Sequence, residues 1–335
     1  MGRNHLGIEL ASRLAEATLL KTGDVALDNA RANLPHLRKP IEDVVALPEG
    51  DAAVVISAGP SLARRNPVEL LKRSGFRGTT IAVDGSLGFC LRNDFVPDWV
   101  VCLDPHPYRI LRWFGDPDLD KRPADDYFGR QEFDREHAID EIRANRKLLD
   151  LVDRNGHAIR VALATGVAPE VTERCLAAGM EIYWWNPLHD DPDAEGSLSR
   201  RVFELNRVPC MVAGGNCGTA AWIFAHAVLG AKRVALTGMD LGYAPGTPLE
   251  RTEYYPELVE LLGDRAREAL IDIHNPHLGE TWISDPTFYW FREVFIELSR
   301  DAACRTFNCT EGGTLFHESI PFVPLAEFLD LVMDR

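Results

Sequence analysis

Acidic side chains stand where three apolar segments of this 335-residue sequence end. Asp84, Asp104 and Asp240 each close a run of apolar residues that is typical of a strand buried on both faces. Ligands of open parallel sheets bind at the carboxyl ends of the strands. A carboxylate there can hold a ribose hydroxyl or a metal-bound phosphate, or it can cap the next helix. The residues alone leave these three roles open.

Two turns have the composition of anion-binding loops. The first, Gly59-Pro60-Ser61, separates an apolar strand from a helical segment and is neither a Walker A loop nor a full dinucleotide-binding fingerprint. The second, GGNCGT at 214–219, precedes an apolar helix. Backbone N–H groups and the positive end of a helix dipole suit a phosphate at such turns, although each also fits a purely structural turn. The candidate ligand-binding residues of the second turn are Gly215, Asn216, Gly218 and Thr219.

Polar residues close to two of the aspartates extend the candidate sites. His106 and Arg109 follow Asp104, and the three together suit an anionic substrate better than a protein core. Tyr243 follows Asp240 and could stack on a base or a sugar. Asp104 is therefore a candidate catalytic residue, and Tyr243 is a candidate ligand-binding residue.

Two histidines, His274 and His277, are candidates for a general base. They are three residues apart across Pro276, which excludes a regular helix and keeps the two imidazoles from sharing one helical face. A zinc site is therefore not expected, and no resident metal is predicted. One of the pair can instead deprotonate an acceptor or donate a hydrogen bond to a phosphate. A solvated loop histidine is the structural alternative.

The elements that must position these residues alternate between strands and helices. Such alternation predicts an α/β fold, a Rossmann-like and mostly parallel sheet with flanking helices. The predicted strands are Ala52–Ser57, Thr79–Asp84, Trp99–Asp104, Ile159–Thr165, Met180–Pro187, Arg233–Asp240 and, to finish the sheet, Cys304–Thr310 with Glu311–Phe316.

The chain is expected to consist of a helical N-terminal arm and one large domain. The arm takes residues 1–45 and the domain residues 46–335. Within the domain, residues 113–155 are rich in charge, proline and glycine at first and then predict a charged helix. We expect this stretch to be an insertion or a lid.

Composition and charge exclude several classes of protein. Apolar residues make up 46% and charged residues 26%, as in an ordinary soluble globular protein. The net charge of −15 argues against non-specific binding to nucleic acid or to an anionic membrane. No apolar run is long enough to span a membrane, and no signal peptide is recognisable. The seven cysteines form no C-x-x-C pair, so we expect reduced thiols and a cytoplasmic protein.

Five motifs occur in an order that is typical of one family. They are VVISAGPSL, IAVDGSLGFCLRNDFVPDWVVCLD, GGNCGTAAWIFAHAVLGAKRVALTGMDLGY, NPHLGETWISDPTFYWFREVFIEL and FNCTEGGTLF. Together they resemble the MptE-like domain family (6-hydroxymethylpterin diphosphokinase MptE-like), and they are closest to its bacterial motility accessory factors (Maf), which are flagellin glycosyltransferases. The resemblance runs from about Val54 to Phe316.

The resemblance implies a sialyltransferase-like core and one of two reactions. In the first, a nonulosonic acid passes from a CMP donor to a hydroxyl of flagellin or of a glycan. In the second, an ATP- and magnesium-dependent enzyme transfers diphosphate to a hydroxymethyl pterin. A third hypothesis, of another class, is that the chain binds a nucleotide sugar without turnover.

The resemblance also implies roles for individual residues. Gly59, Pro60 and Ser61 would cradle the donor phosphate, and Asn216, Gly218 and Thr219 would line the donor on its other side. Asp240 and Tyr243 would hold the ribose or the base, and His274 or His277 would be the base. In the diphosphokinase alternative, Asp84, Asp104 or Asp240 would hold magnesium.

Overall fold

The computed structural model describes residues 5–11, 13–44, 51–121, 135–252 and 254–333. The chain splits into two compact units. The first unit consists of residues 1–21, 47–78 and 214–335, and the second of residues 22–46 and 79–213. The division expected from the sequence, an arm of residues 1–45 before a domain of residues 46–335, stays a prediction.

Strands and helices alternate along most of the chain. The strands are β1 (Ala52–Ile56), β2 (Thr79–Val83), β3 (Trp99–Cys102), β4 (Arg160–Ala164), β5 (Glu181–Leu188), β6 (Cys210–Val212), β7 (Arg233–Thr237), β8 (Ile271–Asn275), β9 (Glu280–Ser284) and β10 (Arg305–Asn308). The α-helices are α1 (His5–Ala11), α2 (Leu14–Ala32), α3 (Ser61–Arg65), α4 (Pro67–Ser74), α5 (Asp84–Arg92), α6 (Pro107–Leu111), α7 (Arg135–Asn155), α8 (Pro169–Ala177), α9 (Leu198–Asn206), α10 (Cys217–Ile223), α11 (Tyr255–Leu262), α12 (Pro286–Arg300) and α13 (Leu325–Met333).

The first unit contains three parallel strands in the order β10–β7–β1. Ala235 of β7 lies opposite Val54 of β1 and Phe307 of β10. All of β1 is buried, as is β7 from its second residue on. Such continuous apolar strands are typical of a parallel sheet that is covered on both faces. On one side Trp222 of α10 packs on Phe295 of α12, with ring centroids 4.8 Å apart.

Helix α1 packs within the first unit against a small second core. A Cβ on Gly7 would lie 2.2 Å from the carbonyl oxygen of Ala269, so only glycine lets the helix approach this closely. Leu6 and Leu10 pack against the cluster. Its buried members are Leu249, Leu258, Ala266, Ala269 and Leu270.

The second unit contains five parallel strands in the order β2–β3–β4–β5–β6. Asn33, just after α2, ties the C-terminal end of that helix to the loop that follows β4. Its Nδ2 donates to the carbonyl oxygens of Thr165 at 2.9 Å and Val167 at 2.7 Å. Because Asn33 is fully buried, these bonds satisfy a polar group that would otherwise be costly to bury.

The predicted α/β class and the mostly parallel sheet are confirmed, whereas one predicted strand is a loop in the structure and one hairpin was not predicted. Segment 311–316 is a loop and not a strand. Helix α11 ends at Leu262, and 3₁₀ turns follow from Gly263, whose φ is +57°. Strands β8 and β9 form an antiparallel hairpin, which the sequence pattern did not predict because β8 alternates only through Ile271 and Ile273 and the apolar Trp282 and Ile283 of β9 are adjacent.

The predicted lid is described only in part. Residues 122–134 of the 113–155 stretch lie outside the described residues. The charged helix expected after them is present as α7. Within the described part of the chain, no helix is both long enough and apolar enough to cross a membrane.

Candidate functional site

The loops after β1 and β7 meet at the carboxyl ends of these two neighbouring strands. The ladder continues past the strands, since Ser57 N–H donates to Thr237 O and Gly59 N–H donates to Gly238 O, each at 2.8 Å. The connection after β7 leads to β10, on the side away from β1, whereas the chain after β1 leaves the unit at Gly78. Parallel α/β sheets bind their ligands at the carboxyl ends of their strands.

Ser61 and Asp240 join the two loops. Oδ2 of Asp240 accepts the backbone N–H of Ser61 at 3.0 Å and its hydroxyl at 2.7 Å. The other oxygen, Oδ1, is buried and has no hydrogen-bond partner among the residues that the structure describes. The Asp240 side chain is only 1% exposed. A buried polar atom without a partner in a native protein calls for an explanation, and a ligand is one.

Burial changes the titration of this carboxyl. Desolvation raises the pKa of Asp240 from 3.8 to about 6, although both bonds from Ser61 and the positive charge of Arg64 oppose the rise. A carboxyl with such a pKa can change its protonation near neutral pH. Perturbed groups of this kind are enriched at functional sites.

Two glycines border the carboxylate because no side chain fits there. A Cβ on Gly59 would lie 2.2 Å from Oδ2 of Asp240, and one on Gly312 would lie 2.7 Å from Oδ1. Gly313, with a φ of +79°, lies directly on the backbone of the same residue. Thr314 N–H donates to Asp240 O at 2.7 Å. The loop after β10 therefore closes over Asp240.

The β8–β9 hairpin docks on this loop. Asn275 Nδ2 donates to Gly313 O at 2.9 Å, and the fully buried Trp282 lies 3.3 Å from where a Cβ of Gly312 would be. Arg64 lies over the Trp282 ring, with 5.4 Å between Cζ and the ring centroid. The site thus has the loops after β1, β7 and β10 as its base and the hairpin at its side.

The predicted phosphate-binding turn has its N–H groups engaged within the protein. Ser61 donates to Asp240, Gly59 donates to Gly238, and Leu62 N–H donates to Gly59 O at 3.0 Å. Pro60 has no N–H group. A phosphate at this turn would have to displace Asp240 from Ser61, so the cradle of Gly59, Pro60 and Ser61 stays a prediction with that condition attached.

The second predicted turn reaches the same strand ends. Asn216 caps α10 by accepting Thr219 N–H at 2.9 Å, and its own Nδ2 donates to the Thr219 hydroxyl at 2.9 Å. A Cβ on Gly218 would lie 2.7 Å from Sδ of Met239 and 2.9 Å from Oγ of Ser57. This contact places the start of α10 against β1 and β7.

Gly215 has a different neighbourhood in the same turn. Its φ is +84°, and a Cβ there would lie 2.7 Å from the ring of Phe291 and 2.8 Å from that of Trp290. The turn therefore forms the closely packed start of a helix, as its structural alternative predicts. This packing is compatible with donor binding, which remains a prediction for this turn.

Tyr243 is buried and linked to a helix cap. Its hydroxyl donates to Oδ2 of Asp285 at 2.5 Å, and Oδ1 of Asp285 accepts Phe288 N–H at 2.8 Å at the start of α12. The Tyr243 ring centroid is 5.4 Å from that of Phe288. A role in binding the base or the ribose stays a prediction, and the ring has structural contacts in any case.

His274 and His277 are both exposed on the hairpin. His274 lies on β8, with Nδ1 3.4 Å from the hydroxyl of Thr281. His277 stacks on Phe322, with ring centroids 4.8 Å apart and the planes inclined by 4°. The hairpin that carries them touches the loop over Asp240 through Asn275.

Asp84 and Asp104 belong to the second unit, where both have local partners. Oδ1 of Asp84 accepts Gly85 N–H at 2.7 Å at the start of α5. Oδ1 of Asp104 accepts His106 N–H at 2.8 Å, and His106 in turn caps α6 by accepting Arg109 N–H at 3.3 Å. The group of Asp104, His106 and Arg109 thus forms a helix cap, and the binding and catalytic roles of the two aspartates stay predictions.

Several residues of the site were not predicted. Gly312, Gly313, Trp282 and Arg64 all lie around Asp240. A signal for the two glycines was present, because they follow a predicted strand, and the rule that selects strand ends applies to that strand as well. Trp282 and Arg64 had no such signal, since their positions depend on how the hairpin docks.

Comparisons with known proteins support the family resemblance. A family model described as 6-hydroxymethylpterin diphosphokinase MptE-like matches residues 28–118. The fold is similar to the structure of a Maf glycosyltransferase from Magnetospirillum magneticum AMB-1, with a TM-score of 0.52 and 16% sequence identity over 93% of this chain. The match spans 42% of that protein. No curated protein matches the chain. The Rossmann-like fold is thereby shown.

Proposed function

We propose that the chain is a transferase, specifically a Maf-like glycosyltransferase that uses a CMP-activated nonulosonic acid to modify a hydroxyl. The observation that carries the proposal is the Ser61–Asp240 pair at the carboxyl ends of β1 and β7, with Oδ1 of Asp240 buried and unpaired among the described residues. A ribose hydroxyl of the donor is the partner that we assign to Oδ1, on the condition that the loop of Gly312 moves aside to admit it. The proposed acceptor is a Ser or Thr hydroxyl of flagellin or a glycan, in the cytoplasm.

In this proposal the protein supplies binding, charge stabilisation and a base. The acceptor oxygen attacks the anomeric carbon as the bond from that carbon to the phosphate oxygen of CMP breaks. His274 or His277 accepts the hydroxyl proton, and CMP departs with the bonding electrons. N–H groups at the turn of Asn216 and Gly218 stabilise the charge that develops on the phosphate, whereas the Thr219 N–H is bonded to the Asn216 side chain.

The diphosphokinase alternative rests on the description of the family model over residues 28–118. It needs ATP and magnesium, for which Asp84, Asp104 or Asp240 would provide oxygen ligands. Across the described parts of the chain, no three His, Cys, Asp or Glu side chains lie together in a way that could hold a metal ion. Magnesium in nucleotide-dependent enzymes is held by one or two carboxylates together with the phosphates of the substrate, so this alternative does not require such a cluster.

Thermal stability with a panel of nucleotides tests the proposal. A ligand at about 100 times its dissociation constant stabilises a protein by roughly 2.7 kcal/mol, which is a measurable shift. We expect CMP to stabilise the chain without metal, and Asp240→Asn to abolish most of that shift. Stabilisation by ATP only in the presence of magnesium would favour the diphosphokinase. No shift with CMP, CDP, UDP, GDP or ATP would contradict the donor site.

A measurement of turnover distinguishes an enzyme from a protein that only binds the nucleotide sugar. We expect CMP to be released from CMP-N-acetylneuraminate or a related CMP-sugar when an acceptor is added. His274→Gln or His277→Gln should slow this release about a hundredfold. His317→Gln is the matched control, because His317 is a half-buried histidine whose ring forms hydrogen bonds only with Ser319 in the described structure. CMP binding without release would leave the non-catalytic alternative, and full release by both hairpin variants would reject the proposed base.

A further inference from the structure

The loop after β10 crosses Asp240 with a short tip, which consists of Glu311 and Gly312. Gly312 is buried, and a Cβ on it would lie 2.7 Å from Oδ1 of Asp240 and 2.9 Å from Cβ of Ser61. The tip therefore lies on the one oxygen of this carboxyl that has no partner among the described residues. A ligand cannot reach that oxygen while the tip keeps this position.

The two ends of the tip are anchored by threonines. Before the tip, the hydroxyl of Thr310 accepts Met239 N–H at 3.2 Å. After it, the hydroxyl of Thr314 donates to Leu241 O at 2.8 Å, and Nε of Arg292 donates to Thr314 O at 2.7 Å. These bonds fix the loop on either side and leave the tip between them to be held by other contacts.

Arg65 holds the tip. Its Nε and Nη2 donate to Glu311 O at 3.2 and 3.0 Å. In the part of the chain that the structure describes, these are the only hydrogen bonds to the tip. Arg65 is exposed, and water competes for both groups of an exposed hydrogen bond, so this contact can break without unfolding the protein.

The backbone of Glu311 has a conformation that side chains other than glycine rarely adopt. Its φ is +51°, in the left-handed region, where the Cβ atom comes too close to the following carbonyl oxygen. Strained residues persist only where surrounding contacts hold them, and they cluster at ligand clamps and switch regions. The position of the tip over Asp240 therefore has a local energetic cost, which the contact with Arg65 offsets.

Open space lies beside the tip. Ser61, Arg65 and Glu311 line a cavity of about 290 Å³ that is open to solvent. A tip of two residues that loses its contact with Arg65 can move into this space while the anchored ends of the loop stay in place.

We propose that Glu311 and Gly312 form a gate over Asp240, and that Arg65 is the positioning residue that keeps this gate shut. When the contact with Arg65 breaks, the tip moves away and Oδ1 of Asp240 becomes accessible to a hydroxyl of a ligand. The inference rests on the proposed function in taking Asp240 as a ligand-binding group, whereas the opening itself is a property of the chain without ligand. The apparent affinity then depends on the fraction of open chains, because only these bind.

Chemical labelling of carboxyl groups measures the opening without any ligand. A water-soluble carbodiimide with glycine ethyl ester modifies Asp240 only when the gate is open, and peptide mass spectrometry gives the rate. Arg65→Gln should raise this rate by roughly tenfold or more, since two hydrogen bonds to the tip are lost. Arg65→Lys keeps the charge but loses the planar fork, so its rate should lie between those of the unmodified chain and Arg65→Gln.

Two controls show whether the effect is confined to the gate. Asp285 is another fully buried carboxyl, and its labelling should be equally slow in all of these proteins. Arg73→Gln removes an exposed arginine that pairs with Glu69 at 2.9 Å, and should leave the labelling of Asp240 unchanged. An unchanged rate at Asp240 in Arg65→Gln, or an equal increase at Asp285, would overturn the inference.

Isothermal titration with CMP adds a readout that a merely structural arginine would not move in the same direction. Arg65→Gln should bind CMP more tightly than the unmodified chain, by about the factor by which its labelling increases. Unchanged or weaker binding would overturn the role of Arg65 in access. Faster labelling of Arg65→Gln together with no binding of CMP by any of these proteins would support the gate and contradict the proposed function.

Discussion

Ser61 donates its backbone N–H and its hydroxyl to one and the same oxygen of Asp240, at 3.0 and 2.7 Å. The two residues are 179 positions apart in the chain, and the pair ties the loop after β1 to the loop after β7. The second oxygen of this carboxyl is buried and has no partner among the described residues. One carboxylate thus both holds the site together and presents an unused acceptor.

The raised pKa of Asp240 predicts a loss of stability as pH rises. In the folded chain its pKa is raised from 3.8 to about 6, so between these values the folded state binds a proton that the unfolded state has released. The contribution of this group to the free energy of unfolding is greatest below about pH 4. It should fall through this window by about 3 kcal/mol, and the loss should be complete above about pH 6.

Chemical unfolding of the chain from about pH 4 to pH 8 measures this effect. Asp240→Asn removes the titration, so the difference between the two proteins should change across that window by the same amount. If the free energy of unfolding depends on pH in the same way in both proteins, Asp240 does not titrate in this range. The binding of CMP is measured on the same variant at neutral pH as a separate readout.

Ser61→Ala should destabilise the ionised form of Asp240 in particular. The hydroxyl bond to the carboxylate lowers the pKa of Asp240, so its removal should raise that pKa further. We expect a loss of about 1.5 to 3 kcal/mol at pH 8 and a smaller loss near pH 4.

The control for this variant is Ser74→Ala. The hydroxyl of Ser74 donates to Leu71 O at 3.0 Å, which is a bond to a neutral acceptor. Its loss should cost about 1 kcal/mol at either pH. Equal pH dependence of the two variants in urea unfolding would contradict the coupling of Ser61 to Asp240.

Gly59→Ala should destabilise the chain strongly. The added methyl group would lie 2.2 Å from Oδ2 of Asp240 and 2.5 Å from Gly238 O, and a backbone oxygen cannot move aside at low cost. We expect the free energy of unfolding to fall by about 3 kcal/mol or more and CMP binding to be lost.

Gly88→Ala is the matched glycine control. Gly88 lies within α5, and its nearest neighbour would be the flexible end of Arg92 at 2.9 Å. Because alanine favours a helix over glycine, this variant should be neutral or more stable by up to about 1 kcal/mol. Thermal unfolding of both variants gives the comparison, and a harmless Gly59→Ala would show that the loop moves freely.

The variant Tyr243→Phe tests whether the hydroxyl of Tyr243 has a structural role or binds the ligand. The hydroxyl donates to Asp285, which is fully buried, so its removal should cost about 1 to 3 kcal/mol of stability. The ring remains, so CMP affinity should change less than twofold if Tyr243 acts by stacking. A tenfold loss of affinity, measured by isothermal titration, would instead assign the hydroxyl to the ligand.

Much of the fold follows from patterns that are local in the sequence. Continuous apolar runs such as AAVVI and RVALT predict buried parallel strands, because a strand covered on both faces needs no alternation. The glycine-rich turns and the aspartates at strand ends could be located because their positions are set by these apolar runs. The five motifs added the family resemblance, since their order is a property of the sequence as well.

Only the tertiary structure decided which of these residues meet. Strand order is not encoded in the period of apolar residues, so nothing in the sequence pattern places Asp240 against Ser61 and Gly312. The same holds for the docked hairpin, which brings Trp282 beside this loop. Asp84 and Asp104 matched the pattern equally well, yet they bond to their own next turns. The physical reason is that chain segments far apart in sequence pack by shape and hydrogen bonding, and these are settled only when the strands have paired.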